Sequence, residues 1–247
     1  METDSDLFII GIGPGNLKDI SRRAYEILKK VDIIVGYTTY IDLIENIISE
    51  EQEIFISGMG QERKRAEKAL EFASQNKKVA VISSGDAGIY GMAGLILELN
   101  QKNDPNLDLK IIPGITAANA AAAILGAPLM HDYVVISLSD LMTPWELIEK
   151  RLKHAAAADF ITAIYNPKSS KRTEQIKIAR DIYLDHRSED TPVGIVRQAG
   201  RKQEEKGITT LKDMLQEKID MLTTVIIGNS QTYISDNKII TPRGYDL

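Results

Sequence analysis

The sequence predicts an α/β protein made of two α/β domains. Short apolar runs alternate with longer segments of helical periodicity along most of the chain. Glycine-rich turns follow several of these runs, as they often do where parallel strands end at a ligand site. The 247 residues, of which 43% are hydrophobic and 26% charged, are enough to form a substantial core.

Five apolar runs in the first half are predicted strands: residues 7–10, 33–35, 54–56, 79–82 and 109–112. The first predicted helix has apolar residues at helical spacing, namely Ile20, Ala24, Ile27, Leu28 and Val31. Residues 61–75 predict a charged helix whose apolar face consists of Ala66, Ala69, Leu70 and Ala73. This alternation predicts a largely parallel sheet with helices on both faces.

The second half begins at a Pro-Gly turn, residues 113–114, so we expect domains at residues 1–112 and 113–247. Helices are predicted for residues 117–125 and for a segment whose inward positions are Trp145, Ile148, Leu152 and Ala155. Strands are predicted at residues 133–137, 160–164, 192–197 and 224–227. From about residue 205 the helical periodicity weakens, and the pattern favours hairpins.

Composition excludes several classes of function. The net charge of −5 is the wrong sign for a nucleic-acid-binding protein, so an anionic substrate would need a local positive site. The absence of cysteine excludes disulfides, thiolate nucleophiles and iron–sulfur clusters. The three histidines, His131, His154 and His186, have no metal-ligand spacing, and we expect no metal site.

Targeting signals are not evident in the sequence. The first ten residues, METDSDLFII, lack the basic and long apolar parts of a signal peptide. No window approaches the run of about 18 apolar residues that a transmembrane helix requires. We therefore expect a cytoplasmic protein without a membrane partner.

The first candidate ligand loop is residues 11–15, GIGPG, directly after the first strand. Its glycines permit a tight turn and close approach by a ligand. A dinucleotide fingerprint requires G-x-G-x-x-G, but here Pro14 intervenes and no acidic residue ends the second strand. A nicotinamide site is therefore a minor alternative, and a purely structural turn stays open.

Two more glycine-containing segments follow later strands. In residues 83–91, Asp86 lies among three glycines and suits a ribose hydroxyl or an ammonium group, although it could also cap the next helix. In residues 113–120, small residues at a helix start leave backbone donors accessible, and Thr116 suits either a ligand contact or a cap.

Polar side chains cluster after two strands of the second half. Ser139, Asp140 and Thr143 follow residues 133–137, where Asp140 or Thr143 could instead cap the next helix. Lys168, Lys171 and Arg172 lie after residues 160–164 and are candidates to bind carboxylates, with a solvated charged loop as the alternative. Arg197 and Arg201 form a second such group.

Together these motifs resemble the tetrapyrrole methyltransferase family, which uses S-adenosylmethionine. The resemblance rests on GIGPG, on SGDAGIYGMAG at residues 84–94 and on PGITAA at residues 113–118, and it extends over nearly the whole chain. Within the family, VGY at 35–37, GMGQE at 58–62, SLSD at 137–140, TPW at 143–145 and YNP at 165–167 are similar to the precorrin-3B or cobalt-factor III C-17-methyltransferases of cobalamin biosynthesis.

The resemblance implies a cofactor cleft between two α/β domains, and it implies a homodimer. The positions that it assigns to S-adenosylmethionine are Pro14, Ser84, Gly85, Asp86, Ile89, Thr116, Ala117, Tyr165, Asn166 and Ala199. The expected substrate contacts are Gly13, Lys168, Lys171, Arg172 and Arg197, because the tetrapyrrole bears many carboxylates. Tyr37 and the Gly58-Met59 pair stand about where uroporphyrinogen enzymes have an aspartate and a lysine, so that acid–base assignment does not transfer.

The implied reaction is methylation at C-17 with contraction of the macrocycle. Asp140, Ser139 and Thr143 are the candidates for moving a proton in the contraction step. The alternatives are a C-11 or C-20 precorrin methyltransferase and, more remotely, a non-catalytic protein that binds a nucleotide-like ligand. Whether the substrate contains cobalt stays open.

Overall fold

The chain forms two compact units in the structure, a computed structural model that describes residues 5–103 and 106–246. The first unit ends at Ala117 and the second begins at Ala118. The domain boundary between residues 112 and 113 stays a prediction. In the described ranges, no helix combines the length and the apolar character that crossing a membrane requires.

The first unit has five strands, and all its strand pairs are parallel. They are β1 (Leu7–Gly11), β2 (Ile33–Tyr37), β3 (Glu53–Ser57), β4 (Val79–Ser83) and β5 (Leu109–Ile112), in the spatial order β3-β2-β4-β1-β5. The helices are α1 (Arg22–Leu28), α2 (Thr38–Ile44), α3 (Glu62–Ala73) and α4 (Ala93–Asn103). Short 3-10 turns lie at Leu17–Asp19 and Glu45–Ile47.

The central strands are apolar at nearly every position because helices cover both faces of this sheet. In β1, Leu7 and Ile9 pack into the cluster that contains the buried faces of α3 and α4. Phe8 and Ile10 point the other way, into the cluster of α1 and α2. This arrangement confirms the predicted parallel sheet, and α3 buries the four predicted residues of its apolar face.

The second unit contains a five-stranded mixed sheet and a small three-stranded sheet. Its strands are β6 (Gly126–Ala127), β7 (Tyr133–Ser137), β8 (Ile161–Tyr165), β9 (Pro192–Arg197), β10 (Glu205–Thr210), β11 (Thr223–Ile227), β12 (Tyr233–Ser235) and β13 (Lys238–Ile240). Its helices are α5 (Ala117–Leu125), which starts at the last residue of the first unit, α6 (Trp145–Ala157) and α7 (Gln175–Leu184), and a 3-10 turn lies at Met214–Gln216.

The order of the larger sheet is β10-β9-β11-β8-β7. Only the β7–β8 pair in it is parallel, and its other pairs are antiparallel. Helices α6 and α7 cover one face, and α5 packs on the other with Ile239 of β13. The predicted hairpins are confirmed by the antiparallel pairs β9–β10 and β12–β13.

Among the residues that the structure describes, Tyr183 of α7 is the largest fully buried side chain. Its hydroxyl lies 2.5 Å from the Thr162 hydroxyl, and the Arg187 guanidinium lies 4.8 Å from the centre of its ring. Burial raises the pKa of Tyr183 to about 12, and the contacts with Thr162 and Arg187 oppose that shift. The neutral phenol is therefore part of the folded core.

We expect Tyr183 to make the fold sensitive to alkali. The unfolded side chain ionises near pH 10 and the folded one near pH 12, so its contribution to stability is complete below pH 10 and is lost as the pH rises toward 12. Between pH 9 and pH 11 the free energy of unfolding should fall by about 1 kcal/mol more in the native protein than in Tyr183→Phe. Urea denaturation measures this difference.

The matched control is Tyr245→Phe, because that residue is 76% exposed. It should follow the native protein at every pH. Equal losses of stability in the native protein and in Tyr183→Phe would show that Tyr183 ionises without penalty.

Candidate functional site

Three loops meet at the carboxyl edge of the first sheet, where β4, β1 and β5 are neighbours. Gly13 and Gly85 form an antiparallel bridge: the Gly85 N–H donates to the Gly13 carbonyl at 2.8 Å and the Gly13 N–H donates to the Gly85 carbonyl at 3.1 Å. Both have a positive φ, 74° and 67°, which favours glycine. The loops after β1 and β4 are therefore joined through their backbones.

Gly11 shows why side chains are excluded from this junction. A Cβ at Gly11 would lie 2.6 Å from the Gly85 carbonyl oxygen and 2.7 Å from the Gly114 nitrogen. The missing side chain therefore allows the loop after β5 to approach the other two. Gly11 and Gly114 are therefore first of all requirements of packing.

Asp86 connects two of the three loops. Its Oδ1 accepts the Gly88 N–H at 2.8 Å, and its Oδ2 accepts the Gly114 N–H at 2.9 Å. Helix α4 begins only at Ala93, so capping of that helix, the alternative interpretation of Asp86, does not apply. Each carboxylate oxygen keeps acceptor capacity for a ligand, since one oxygen can accept more than one hydrogen bond.

The eight predicted site residues of the first unit lie on these three loops or, for Ala117, at the first residue of α5. They are Gly13, Pro14, Ser84, Gly85, Asp86, Ile89, Thr116 and Ala117. Ile89 is 39% exposed and Tyr90 is 60% exposed, and Tyr90 has a φ of 54°, rare for an aromatic residue. Strain of this kind often marks a functional loop.

A polar cluster lies at the carboxyl ends of β7 and β8 in the second unit. These strands are parallel neighbours, so the loops that follow them meet. Ser137 Oγ accepts hydrogen bonds from Asn166 Nδ2 at 2.9 Å and from the Ser139 N–H at 3.2 Å. Asn166 has a φ of 49°, a second strained position.

Arg172 is buried beneath this cluster and is 8% exposed. Its Nη1 donates to the Asn166 carbonyl at 2.6 Å, and its Nε lies 3.9 Å from Asp140 Oδ1. Asp140 Oδ2 also accepts from Gln175 Nε2 at 3.3 Å. Burial lowers the pKa of the Arg172 guanidinium and the nearby Asp140 carboxylate opposes the shift. Arg172 thus holds the loop, and its contact with substrate stays a prediction.

The other predicted cations have different surroundings. Lys168 lines a cavity of about 420 Å³ together with Ser169, Ser170, Ile219, Asp220, Met221 and Leu222. Lys171 is exposed to solvent. Arg197 Nε donates to Asp220 Oδ2 at 2.6 Å and its Nη1 lies 3.2 Å from Glu205, so protein carboxylates already engage Arg197.

Of the remaining predicted residues, Tyr165 accepts the Ala118 N–H at 2.7 Å through its hydroxyl, in the first turn of α5. Ala199 packs against the core on the α5 face of the sheet. Thr143 lies in the loop before α6, whose N-cap is Pro144, so neither Thr143 nor Asp140 caps that helix. Trp145 packs against the core as expected.

The sequence patterns missed two residues at these edges. Gln198, beside Ala199, has a φ of 52° that no sequence motif indicated. Arg65 is buried at the carboxyl edge of the first sheet. Its spacing of four residues from Ala69, and of eight from Ala73, places it on the buried face of α3 and is the signal that predicts its burial. Across residues 5–103 and 106–246, no group of three or more His, Asp or Glu side chains could hold a metal ion.

Comparison with known protein families identifies a family for the chain whose glycine loops after β1, β4 and β5 are described above. A family model described as Tetrapyrrole (Corrin/Porphyrin) Methylases matches residues 6–215. The chain belongs to this family. The family expected from the motifs is thereby confirmed.

Named relatives of this methylase cover nearly all of the chain. It is 50% identical over 241 residues to a Salmonella typhimurium protein named "Probable cobalt-factor III C(17)-methyltransferase", covering 98% of this chain and 100% of that protein. It is 53% identical over 243 residues to the "Cobalt-factor III methyltransferase" of Priestia megaterium. That match covers 97% of this chain but only 45% of the longer relative, so the chain spans about half of that protein.

The fold of this tetrapyrrole methylase also matches a solved structure. The crystal structure of the methyltransferase CobJ superposes with a TM-score of 0.91 at 34% identity, covering 96% of this chain and 99% of that chain. The predicted α/β fold class is confirmed.

We expect Arg172→Ala to loosen the polar cluster of the methylase. The substitution leaves the Asn166 carbonyl without its donor and removes the cation beside the Asp140 carboxylate, which keeps only Gln175 as a donor. The free energy of unfolding should therefore fall by about 2 kcal/mol. Urea denaturation measures the loss. Lys171→Ala is the matched control, because it removes an equal charge from an exposed neighbour and should change stability little. Equal effects of the two substitutions would contradict a structural role for Arg172.

Proposed function

We propose that this chain transfers a methyl group from S-adenosylmethionine to C-17 of cobalt-factor III and promotes contraction of the macrocycle, in cobalamin biosynthesis. The observation that supports this most strongly is the 50% identity to a relative of the same length that bears that name. The motifs at residues 58–62, 137–140 and 165–167 point to the same subfamily.

The first unit provides surroundings that suit the cofactor. The glycines at 11 and 114 let the three loops pack directly against one another, which fixes the loop backbones that we propose surround the cofactor. The acceptor capacity left on Asp86 suits the ribose hydroxyls or the ammonium group of S-adenosylmethionine. We assign Pro14, Ser84, Gly85, Asp86, Ile89, Thr116 and Ala117 to this role, and Gly13 to the substrate side.

When bound, S-adenosylmethionine supplies an electrophilic methyl group. The chain must therefore hold the reacting carbon in line with that methyl and keep water away, and alignment alone can lower the barrier by several kcal/mol. No nucleophilic residue is required. The rigid, backbone-bonded loops at Gly13 and Gly85 are suited to such positioning because they cannot shift independently.

The polar cluster of the second unit is our proposed source of proton transfer during ring contraction. Asp140 is fixed by Gln175 and by the nearby Arg172, and its side chain remains 39% exposed. A held but accessible carboxylate can accept a proton or a hydrogen bond from a substrate. Ser139 and Thr143 are the neighbouring hydroxyls that we propose as its helpers.

Further parts of the proposal rest on the family resemblance. We propose that Tyr165, Asn166 and Ala199 contact the cofactor and that Lys168, Lys171, Arg172 and Arg197 attract substrate carboxylates. We also propose that the protein is a homodimer and that it works in the cytoplasm. A chain without cysteine has no disulfides, and this fits a reducing compartment.

Isotope mapping of the methylated product tests the proposed function. The purified protein is incubated with cobalt-factor III and S-adenosylmethionine carrying a ¹³C methyl group, and the product is examined by NMR. We expect the label at C-17 of a contracted ring, and a faster reaction with cobalt-factor III than with metal-free precorrin-3B. Label at C-11 or C-20 would reassign the reaction. Absence of transfer by folded protein would contradict the proposal.

A further inference from the structure

Arg65, in the first turn of α3, is a buried cation in the first unit and is only 4% exposed. Its Nε donates to Ser57 Oγ at 2.9 Å and its Nη2 donates to the Gly58 carbonyl at 3.1 Å. Nη1 lies 3.6 Å from Met92 Sδ, and the guanidinium carbon lies 6.0 Å from the centre of the Tyr37 ring. All these partners are electrically neutral.

The lack of a carboxylate partner separates Arg65 from the other buried arginines. Arg172 lies 3.9 Å from Asp140 and Arg187 lies 3.6 Å from Asp159. In the described part of the chain no Asp or Glu is within ion-pair distance of Arg65, and Glu62 is bound instead to the Gly60 N–H at 3.2 Å. Burying a charge without a counter-charge is unfavourable in free energy. Binding an anion at this position would therefore be favourable.

The guanidinium also retains hydrogen-bonding capacity. A guanidinium has roughly five N–H donors, and the contacts with Ser57, Gly58 and Met92 use three of them. The contact with Met92 is the weakest, because a thioether sulfur is a poor acceptor. An incoming carboxylate could replace that sulfur and form a bidentate, charge-assisted interaction with the guanidinium.

The location of Arg65 is the ligand-binding edge of the sheet. Tyr37 ends β2, Ser57 ends β3 and Met92 closes the loop after β4, and these three strands are neighbours. A Cβ added to Gly58 or Gly60 would meet nothing within 4 Å, so the space beside this loop is open. Ligands bind parallel sheets at this edge.

We propose that Arg65 and the open loop of residues 58–60 form a subsite that binds one carboxylate of the substrate. The inference rests on the proposed function in one respect, that the substrate is a tetrapyrrole with carboxylate side chains. Arg65 supplies the positive charge, and Tyr37 lies against its guanidinium. Displacement of the Met92 sulfur frees the Arg65 Nη1 donor for the carboxylate.

Binding of uroporphyrin III, a stable tetrapyrrole with carboxylates on every pyrrole ring, tests the subsite. Its dissociation constant is measured by fluorescence titration at two ionic strengths for the native protein, Arg65→Met, Arg65→Lys and Arg63→Met. Arg63 is the matched control, because it is on the same helix, carries the same charge and is 79% exposed beside Glu67.

We expect Arg65→Met to weaken binding about tenfold and to reduce its salt dependence, as expected for a lost charge-assisted hydrogen bond. Arg65→Lys should lie between Arg65→Met and the native protein, since the charge remains but the planar fork is lost. Arg63→Met should change the dissociation constant less than about twofold, as expected for a screened, exposed charge.

Several results would overturn the subsite. Native affinity in Arg65→Met with a lower unfolding temperature would show that Arg65 has only a structural role. Equal losses of affinity in Arg65→Met and Arg63→Met would show that only the net charge of the protein affects binding. Absence of porphyrin binding by the native protein would also refute it. If Arg65→Met does not fold, Arg65→Lys decides instead: native affinity and native salt dependence in that variant would refute the subsite. Failure of the proposed function is distinct, because it appears as absent methyl transfer by the native protein.

Discussion

The constraint on which the candidate site depends is the direct backbone contact between the loops that follow β1, β4 and β5. Gly11 leaves no room for a Cβ, the Gly13–Gly85 bridge joins two loops, and Asp86 ties the third through the Gly114 N–H. These contacts fix the carboxyl edge of a sheet that is buried on both faces. The rigidity of the edge follows, and with it the ability to hold a cofactor whose reaction depends on alignment.

Buried arginines organise the remaining polar parts of the molecule. Arg187 binds carbonyls beside Tyr183, and Arg172 holds the Asn166 carbonyl near Asp140. In these two cases a carboxylate in the same unit balances the charge. Arg65 has only neutral partners, and this difference makes its edge of the first sheet attractive to an anionic substrate.

Sequence patterns predicted most strands because continuous apolar runs and glycine turns are local signals. They missed the helices α2, α4 and α7. Helix α7 has buried residues at helical spacing, but the run of cations that precedes it is typical of a loop. The role of Asp86 as a link between loops could not be predicted, because its partner Gly114 is distant in sequence. For the same reason the inward direction of Arg172 and the unpaired burial of Arg65 appear only in three dimensions.

Calorimetric titration of S-adenosylmethionine into the native protein, Asp86→Ala and Asp32→Ala tests whether Asp86 helps to bind the cofactor. Asp32 accepts the Lys78 N–H at 2.8 Å at the opposite edge of the same sheet, so its loss removes a similar hydrogen bond away from the site. The native protein and Asp32→Ala should bind the cofactor at one site with similar affinity, and Asp86→Ala should bind it about tenfold more weakly or not at all, as expected when a charged hydrogen-bond partner is lost. Native affinity in folded Asp86→Ala would show that Asp86 does not bind the cofactor.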